Sequence, residues 1–221
     1  MSQPLPKKAL KLGKIFPREI GLLTSFVLFD IMENKELTDL LISWITLSAA
    51  FAFVFADGGL DVVGFADALA IAAVAVGTGF LLHELAHKYV AIHFGAKAEF
   101  RAWNMGLLFA LFVAAFFRFI FAAPGAVYIY GKHVTVRENG IISVAGPLMN
   151  ILIGAIGVVL AGVYAGTQIG HVAAIVGSIN LYLAMFNLLP FFILDGAKVF
   201  AWNKVVWGIL FFPLVFFLFM I

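Results

Sequence analysis

The sequence predicts a mainly α-helical bundle that crosses a membrane about five to six times and carries a small membrane-associated β-hairpin or re-entrant element. Hydrophobic residues make up 64% of the 221-residue chain, and its mean hydropathy is +1.09. Only 12% of the residues are charged, about half the share that is usual in soluble domains. A membrane-spanning helix needs roughly 20 apolar residues, and the chain contains several stretches of about that length. We therefore expect a multi-pass protein embedded in the lipid bilayer.

The apolar stretches divide the chain into a tail, a core and a last helix. We expect residues 1–38 to form a basic tail and an interfacial segment, residues 39–204 the membrane-embedded core, and residues 205–221 a final transmembrane helix. Within the core, the expected spans cover residues 40–56, 62–94, 141–165 and 172–189.

The region between the second and third spans is less regular. Residues 127–130 favour extended chain, residues 133–136 a short strand, and the Phe-rich stretch 107–123 contains Arg118. Non-helical backbone at membrane depth is tolerated only where protein or a water-filled cavity covers it. We therefore place the hairpin or re-entrant element in this region.

The second expected span carries the segment His83-Glu84-Leu85-Ala86-His87. On a helix, His83 and His87 stand one turn apart on the same face, where two neutral imidazoles can share one zinc ion. Glu84 follows the first histidine and can accept a proton from a water molecule that the metal activates. Ionisable residues inside a membrane helix are costly, which favours a functional role for them.

A third ligand is needed, since a catalytic zinc usually has three protein ligands and an open position. The chain has no cysteine, so the ligand must be His, Asp or Glu. Asp195 is the best candidate because it is the only acidic residue after Glu138 and follows a helix end broken by Pro190. The alternative for Asp195 is an interfacial helix cap paired with Lys198.

The distribution of Lys and Arg predicts the orientation in the membrane. These residues are concentrated in the tail, after the second span, in the loop at 132–137 and at Lys198 and Lys204, whereas the turns at 57–61 and 167–171 contain none. The positive-inside rule then places the N-terminus and the candidate ligands toward the cytoplasm. The net charge of +2 gives no indication of nucleic-acid binding, and nothing in the sequence specifies an oligomeric state.

The chain resembles the site-2 protease family of intramembrane zinc metalloproteases. The resemblance extends over roughly residues 40–200 and rests on three motifs. In chain order, these motifs are His83-Glu84-x-x-His87, Gly146-Pro147-x-x-Asn150 and Asn187-x-x-Pro190-x-x-x-Leu194-Asp195-Gly196.

This resemblance implies one zinc ion per chain, held by His83, His87 and Asp195, with Glu84 as the general base. It also implies that Asn187 contacts the substrate backbone or stabilises the oxyanion. The implied activity is hydrolysis of peptide bonds in or near the transmembrane segments of membrane proteins. The hairpin region would present an edge strand to an unwound substrate.

Other functions fit parts of the pattern. His93 lies six residues after His87, the third-histidine spacing of metzincins, but Val90 stands where that pattern has glycine. On a continuous helix His93 would also point about 120° away from His87. We expect His93 to be interfacial, and His133 and His171 to face solvent.

The alternative from a different class is a membrane metal transporter or channel. Asn150, Asn187, Pro190 and Asp195 could line a pathway of broken helices. A transporter, however, has no need of Glu84 as a ligand, and no inverted repeat of the motifs is visible. A catalytically inactive homologue would carry the same side chains.

Overall fold

The computed structural model describes residues 34–55, 62–120, 125–131 and 133–220. The described residues form α-helices, one turn of π-helix (Gly77–Leu81) and a two-stranded sheet. The elements are α1 (Asn34–Phe55), α2 (Val62–Val76), α3 (Leu82–His93), β1 (Lys97–Ala102), α4 (Asn104–Phe117), β2 (Gly125–Tyr130), α5 (Val136–Val163), α6 (Gln168–Asn187), α7 (Asp195–Trp202) and α8 (Lys204–Met220). The expected tail, the interfacial segment at 20–32 and the turn at 57–61 lie outside the described residues.

Four of the described helices are long and apolar enough to cross a membrane, which confirms the predicted fold class. They are Asn34–Phe55, Gly64–His93, Val136–Val163 and Gln168–Asn187. The count lies slightly below the expected five to six, because α4 and α8 are apolar but contain only 14 and 17 residues. At 1.5 Å per residue they extend about 21 and 26 Å, short of a hydrocarbon core of about 30 Å.

The short strand expected at residues 133–136 is wrong, because α5 begins there. The Thr135 hydroxyl accepts a hydrogen bond from the Glu138 amide (3.2 Å), and the Glu138 carboxylate accepts one from the Thr135 amide (2.9 Å). This capping box satisfies two amides that the first helical turn leaves without partners. The Thr-x-x-Glu signal that predicts it was present in the sequence.

The first described helix includes residues from Asn34 onward, before the span expected from residue 40, and Glu36 in this polar turn is buried. Glu36 is 1% exposed and forms an ion pair with Lys88 of α3, whose Nζ lies 2.6 and 2.7 Å from the two carboxylate oxygens. Glu36 also accepts a hydrogen bond from the Phe100 amide of β1 (3.1 Å). One carboxylate therefore ties α1, α3 and β1 together.

The expected hairpin is confirmed as an antiparallel pair of strands. Lys97 lies opposite Tyr130 and Phe100 lies opposite Val127. The apolar helix α4 and residues 118–124 separate the two strands along the chain, so a long connection that contains a helix joins them instead of a tight turn. The polar edge of β1 faces α1, where Asp39 accepts a hydrogen bond from the Ala102 amide (3.4 Å).

Two apolar clusters flank the centre of the bundle. One joins α1, α2, β1 and α4 and contains Leu47, Val76 and Phe100; the other joins α6 to α8 and contains Leu181 and Leu214. Helix α5 lies between them and contacts α3, α6 and α7. This central helix therefore faces the elements that carry the His-Glu-x-x-His motif and Asp195.

Candidate metal centre

The two histidines of the motif and Asp195 converge at one buried point. On α3, the Nε2 atoms of His83 and His87 lie 3.0 Å apart. Asp195, the first residue of α7, places Oδ2 at 3.2 Å from His83 Nε2 and 3.0 Å from His87 Nε2. All three residues are less than 10% exposed. The irregular chain after Pro190 ends where α7 begins, and this brings Asp195 to the helix α3.

The hydrogen bonds behind the two rings determine which nitrogens face this point. His87 Nδ1 lies 2.7 Å from the Ile142 carbonyl oxygen, and His83 Nδ1 lies 2.6 Å from Asn150 Oδ1. Both partners are acceptors, so both Nδ1 atoms carry the proton and both Nε2 atoms present a lone pair. In the neutral rings, two lone pairs and a carboxylate oxygen thus face one another at about 3 Å, as they would around one shared cation.

The donor set fits zinc. His and carboxylate ligands at bonds of about 2.0–2.1 Å lie about 3.3 Å apart on a tetrahedral ion, close to the observed separations. Burial by itself raises the pKa of Asp195, but the adjacent His87 and His83 rings hold the pKa of this carboxyl below its usual range. This effect needs a positive charge or an N–H facing Asp195, a role that a bound cation would take over with the carboxylate ionised.

The interfacial pairing considered for Asp195 is also present. Lys198 Nζ lies 3.4 Å from Oδ1 of Asp195, the oxygen that does not face the histidines. The two interpretations of Asp195 are compatible, because each uses a different oxygen of the same carboxylate.

A cavity of about 570 Å³ lies beside the cluster, and Glu84 and Asn187 both line it. The Glu84 carboxylate forms no hydrogen bond with any side chain or backbone group in the described residues. Asn187, at the end of α6, donates one amide hydrogen to the Leu183 carbonyl (3.1 Å), which leaves its second hydrogen for another acceptor. The structure therefore brings all five candidate residues to one cavity.

The remaining histidines lie elsewhere. His93, His133 and His171 are exposed, and none of them belongs to the group of side chains that could hold a metal. The position of His93 agrees with an interfacial residue and gives no support to a metzincin site, since the third group at the cluster is Asp195.

Several residues at the site were not predicted from the sequence. The sequence indicated Asn150 as part of a motif and as a possible lining of a transport pathway, but not as a partner of His83, and it gave no role to Asn180, which contacts Asn150. The signal for Asn180 was available, since a fully buried amide in the middle of an apolar helix is costly without partners. The Ile142 carbonyl could not have been found, because every residue carries such a group.

Gly146 leaves the space that the cluster occupies. A Cβ atom built at this position would overlap His87 Nε2 and lie 2.6 Å from His83 Nε2. We expect Gly146→Ala to weaken zinc binding at least tenfold, because the methyl group displaces the ligand nitrogens. Zinc content by elemental analysis checks this. Gly162→Ala is the control on the same helix, since a Cβ there meets nothing within 4 Å. Equal zinc content in both variants would contradict the expectation.

A helical bundle of membrane-spanning length with a buried His-His-Asp cluster and an adjacent glutamate defines a membrane protein with the site of a metallohydrolase. The comparisons with known proteins identify its relatives. The chain is 40% identical over 183 residues to "Putative zinc metalloprotease MJ0611" of Methanocaldococcus jannaschii, an alignment that covers 82% of this chain and 92% of that protein. It is 28% identical to "Putative zinc metalloprotease Rip3" of Mycobacterium tuberculosis over 84% of this chain, but over only 44% of that protein.

The chain therefore belongs to this family of zinc metalloproteases, consistent with the resemblance to site-2 proteases drawn from its motifs. No family model and no solved structure matches it. The names of the relatives favour a metalloprotease over the metal transporter that was the alternative.

Proposed function

We propose that the protein is an intramembrane zinc metalloprotease of the site-2 type, which hydrolyses peptide bonds in or near transmembrane segments of other membrane proteins. The observation that carries the proposal is the position of the cluster. His83, Glu84 and His87 lie within a 30-residue apolar helix, Gly64–His93, and open onto a cavity inside the bundle. A protease acting on soluble substrates has no need of a site within such a helix.

In this mechanism His83, His87 and Asp195 hold one zinc ion. The chemistry that zinc supplies in such a site is acidification of water and polarisation of the scissile carbonyl. Glu84 takes the proton from the attacking water and then delivers it to the leaving amine. The free amide hydrogen of Asn187 stabilises the negative charge that develops on the carbonyl oxygen.

The substrate is a segment that enters as extended chain, since a helical peptide bond is shielded by its own hydrogen bonds. Strand β2 lines the same cavity as Glu84, through Gly125 to Ile129. Its other edge is paired with β1, and no further strand of the described residues pairs with it. Backbone hydrogen bonding to β2 would hold an unwound substrate beside the catalytic groups.

The orientation follows from the charges. Arg137 precedes the buried part of α5, while Lys198 and Lys204 lie in or beside α7, next to Asp195. By the positive-inside rule this side of the bundle is cytoplasmic, and water reaches the site from there.

The test is metal content together with cleavage. We expect about one zinc per purified wild-type chain and little zinc in Asp195→Ala, which lacks one of three ligands. In proteoliposomes holding single-span membrane proteins, we expect wild type to cleave within or near a span, and a zinc chelator to stop cleavage. Asp67→Asn changes an exposed carboxylate of α2 and serves as the control.

Two results would contradict the proposal. Wild-type protein prepared without chelators that contains no zinc would remove the metal site. Zinc transport across the vesicle membrane, with no cleavage of any protein tested, would favour a metal transporter over a protease.

A further inference from the structure

A chain of buried hydrogen bonds leads away from the metal cluster into the bundle. Asn150 of α5 faces His83 with Oδ1 and donates Nδ2 to the Gly79 carbonyl (2.9 Å) and to Asn180 Oδ1 of α6 (3.3 Å). Asn180 Nδ2 donates to the Val176 carbonyl (2.9 Å) and to Thr78 Oγ1 (3.3 Å). Both asparagines are 0% exposed. Nothing in the proposed hydrolysis uses Asn180 or Thr78 directly.

The backbone carbonyls of Gly79 and Val176 determine which atom donates in each of these hydrogen bonds. A carbonyl oxygen only accepts, so the Asn150 atom next to the Gly79 carbonyl must be the amide nitrogen. Asn150 Oδ1 then faces His83, and His83 Nδ1 must carry the proton. The Val176 carbonyl orients Asn180 in the same way, so that Asn180 offers its oxygen to the second amide hydrogen of Asn150.

The π-helical turn provides the carbonyl on which this direction depends. A π turn interrupts the regular α-helical hydrogen bonds and is common at functional sites. Here it covers Gly77–Leu81, directly before α3, and the Gly79 carbonyl accepts from Asn150 of another helix. The approach is close, because a Cβ at Gly79 would lie 2.8 Å from Leu183 Cδ1.

We propose that Asn180 is a positioning residue for the metal ligand His83, acting through Asn150. With Asn180 in place, both amide hydrogens of Asn150 have acceptors, and the amide has one orientation. His83 is then restricted to the tautomer with a free Nε2 lone pair and to one ring plane. His87 needs no such relay, because the Ile142 carbonyl accepts from its Nδ1 directly.

Removal of Asn180 affects His83 at a distance. In Asn180→Leu one amide hydrogen of Asn150 loses its acceptor, so the Gly79 carbonyl alone opposes rotation of the amide and the preference for presenting oxygen to His83 is weakened. Outer hydrogen-bond partners of metal ligands typically change metal affinity by about 10–100-fold. Since Asn180 is one bond further out, we place the effect at the lower end.

The test measures zinc affinity in purified full-length protein by competition with a chromogenic chelator. We expect Asn180→Leu to bind zinc about tenfold more weakly than wild type. Asn180→Asp keeps an oxygen toward Asn150 and, as the neutral acid expected at a fully buried position, a hydroxyl toward the Val176 carbonyl, so it should recover most of the affinity. Leu181→Ala, at the neighbouring buried position of α6, controls for loss of packing and should leave affinity unchanged.

Nitrogen chemical shifts of ¹⁵N-labelled histidine give a readout that packing alone would not move. In metal-free wild type we expect His83 as the Nδ1-protonated tautomer, and in Asn180→Leu a mixture of tautomers. If Asn180→Leu does not fold, Asn180→Ala removes the same acceptor with a smaller side chain and is measured in the same way.

Three results would contradict the positioning role of Asn180. Asn180→Leu could bind zinc as tightly as wild type, Asn180→Asp could bind zinc as weakly as Asn180→Leu, or Leu181→Ala could lose as much zinc affinity as Asn180→Leu. The proposal rests on the metal site proposed above, and the two fail differently. Wild-type protein that contains no zinc would contradict the proposed metal site. Zinc-loaded wild type together with an Asn180→Leu variant of unchanged zinc affinity would contradict only the positioning role of Asn180.

Discussion

Glu84→Gln will abolish peptide-bond hydrolysis and leave the zinc content at the wild-type level. The glutamine has almost the same shape but cannot accept a proton at neutral pH, so the attacking water loses its base. A positioned general base contributes about 10²–10⁴-fold to a rate, and we expect a loss in that range. Glu84 lies outside the trio of atoms that converge on the metal position, so metal binding does not depend on it.

The measurement compares cleavage of one membrane substrate in proteoliposomes with zinc content of the same preparation. Glu99→Gln is the matched control, since Glu99 lies on β1, away from the cluster, where it pairs with Arg101. Cleavage by Glu84→Gln at the wild-type rate would show that another group is the base. Loss of zinc from this variant would show that Glu84 is itself a ligand.

Glu36→Ala will destabilise the folded protein by about 3–5 kcal/mol, the usual cost of leaving one member of a buried ion pair alone. Lys88 is 5% exposed, so its ammonium group would remain buried without the carboxylate that now neutralises it. The Phe100 amide of β1 would also lose its acceptor. Since Lys88 follows His87 directly, the same change loosens α1 and β1 from the helix that carries the candidate metal ligands.

Chemical unfolding in detergent, followed by circular dichroism, measures this free energy. Glu99→Ala removes an ion pair whose side chains are 28% and 22% exposed and should cost under about 1 kcal/mol. The double variant Glu36→Leu with Lys88→Met replaces the pair by apolar side chains and should recover most of the loss. A double variant as unstable as Glu36→Ala would show that the hydrogen bond to β1, and not the buried charge, is what matters.

Glu84 and Glu36 differ in their surroundings, and the difference matches a catalytic role for one and a stabilising role for the other. Glu84 is held beside the cavity without a hydrogen-bond partner in the described residues, so it remains available to a water molecule. Glu36 instead accepts three hydrogen bonds from Lys88 and Phe100 and is 1% exposed, so it supports the fold and is not open to water. Glu84 lies between the two histidines in the chain, and Glu36 contacts Lys88, the residue that follows His87.

Much of the site was predictable because its chemistry is local. His83 and His87 share a face of any α-helix that contains them, whatever the rest of the chain does. The membrane-spanning helices follow from length and hydropathy, since lipid requires every backbone group to be bonded within its own helix. Asp195 was predictable from a count of ligands, because the chain has no cysteine and no other acidic residue after Glu138.

Local pattern misled at residues 133–136, where alternating side chains favoured a strand and the capping box of Thr135 and Glu138 begins a helix instead. The alternating pattern and the capping box each involve only a few residues. The capping box determines the structure because it satisfies backbone amides that the first helical turn leaves without partners.

The sequence by itself determined the class of fold, the helix face shared by His83 and His87, and Asp195 as the candidate third ligand. Only the tertiary structure decided that Asn180 contacts Asn150, the partner of His83, that Glu36 pairs with Lys88, and that β2 borders the cavity. The hydrogen bond of Asn180 to Asn150 and the pair of Glu36 with Lys88 join residues 30 and 52 positions apart in the chain. Helical periodicity specifies only neighbours within a turn or two, whereas such distant partners are selected by the packing of whole helices and by the need to satisfy each buried polar group.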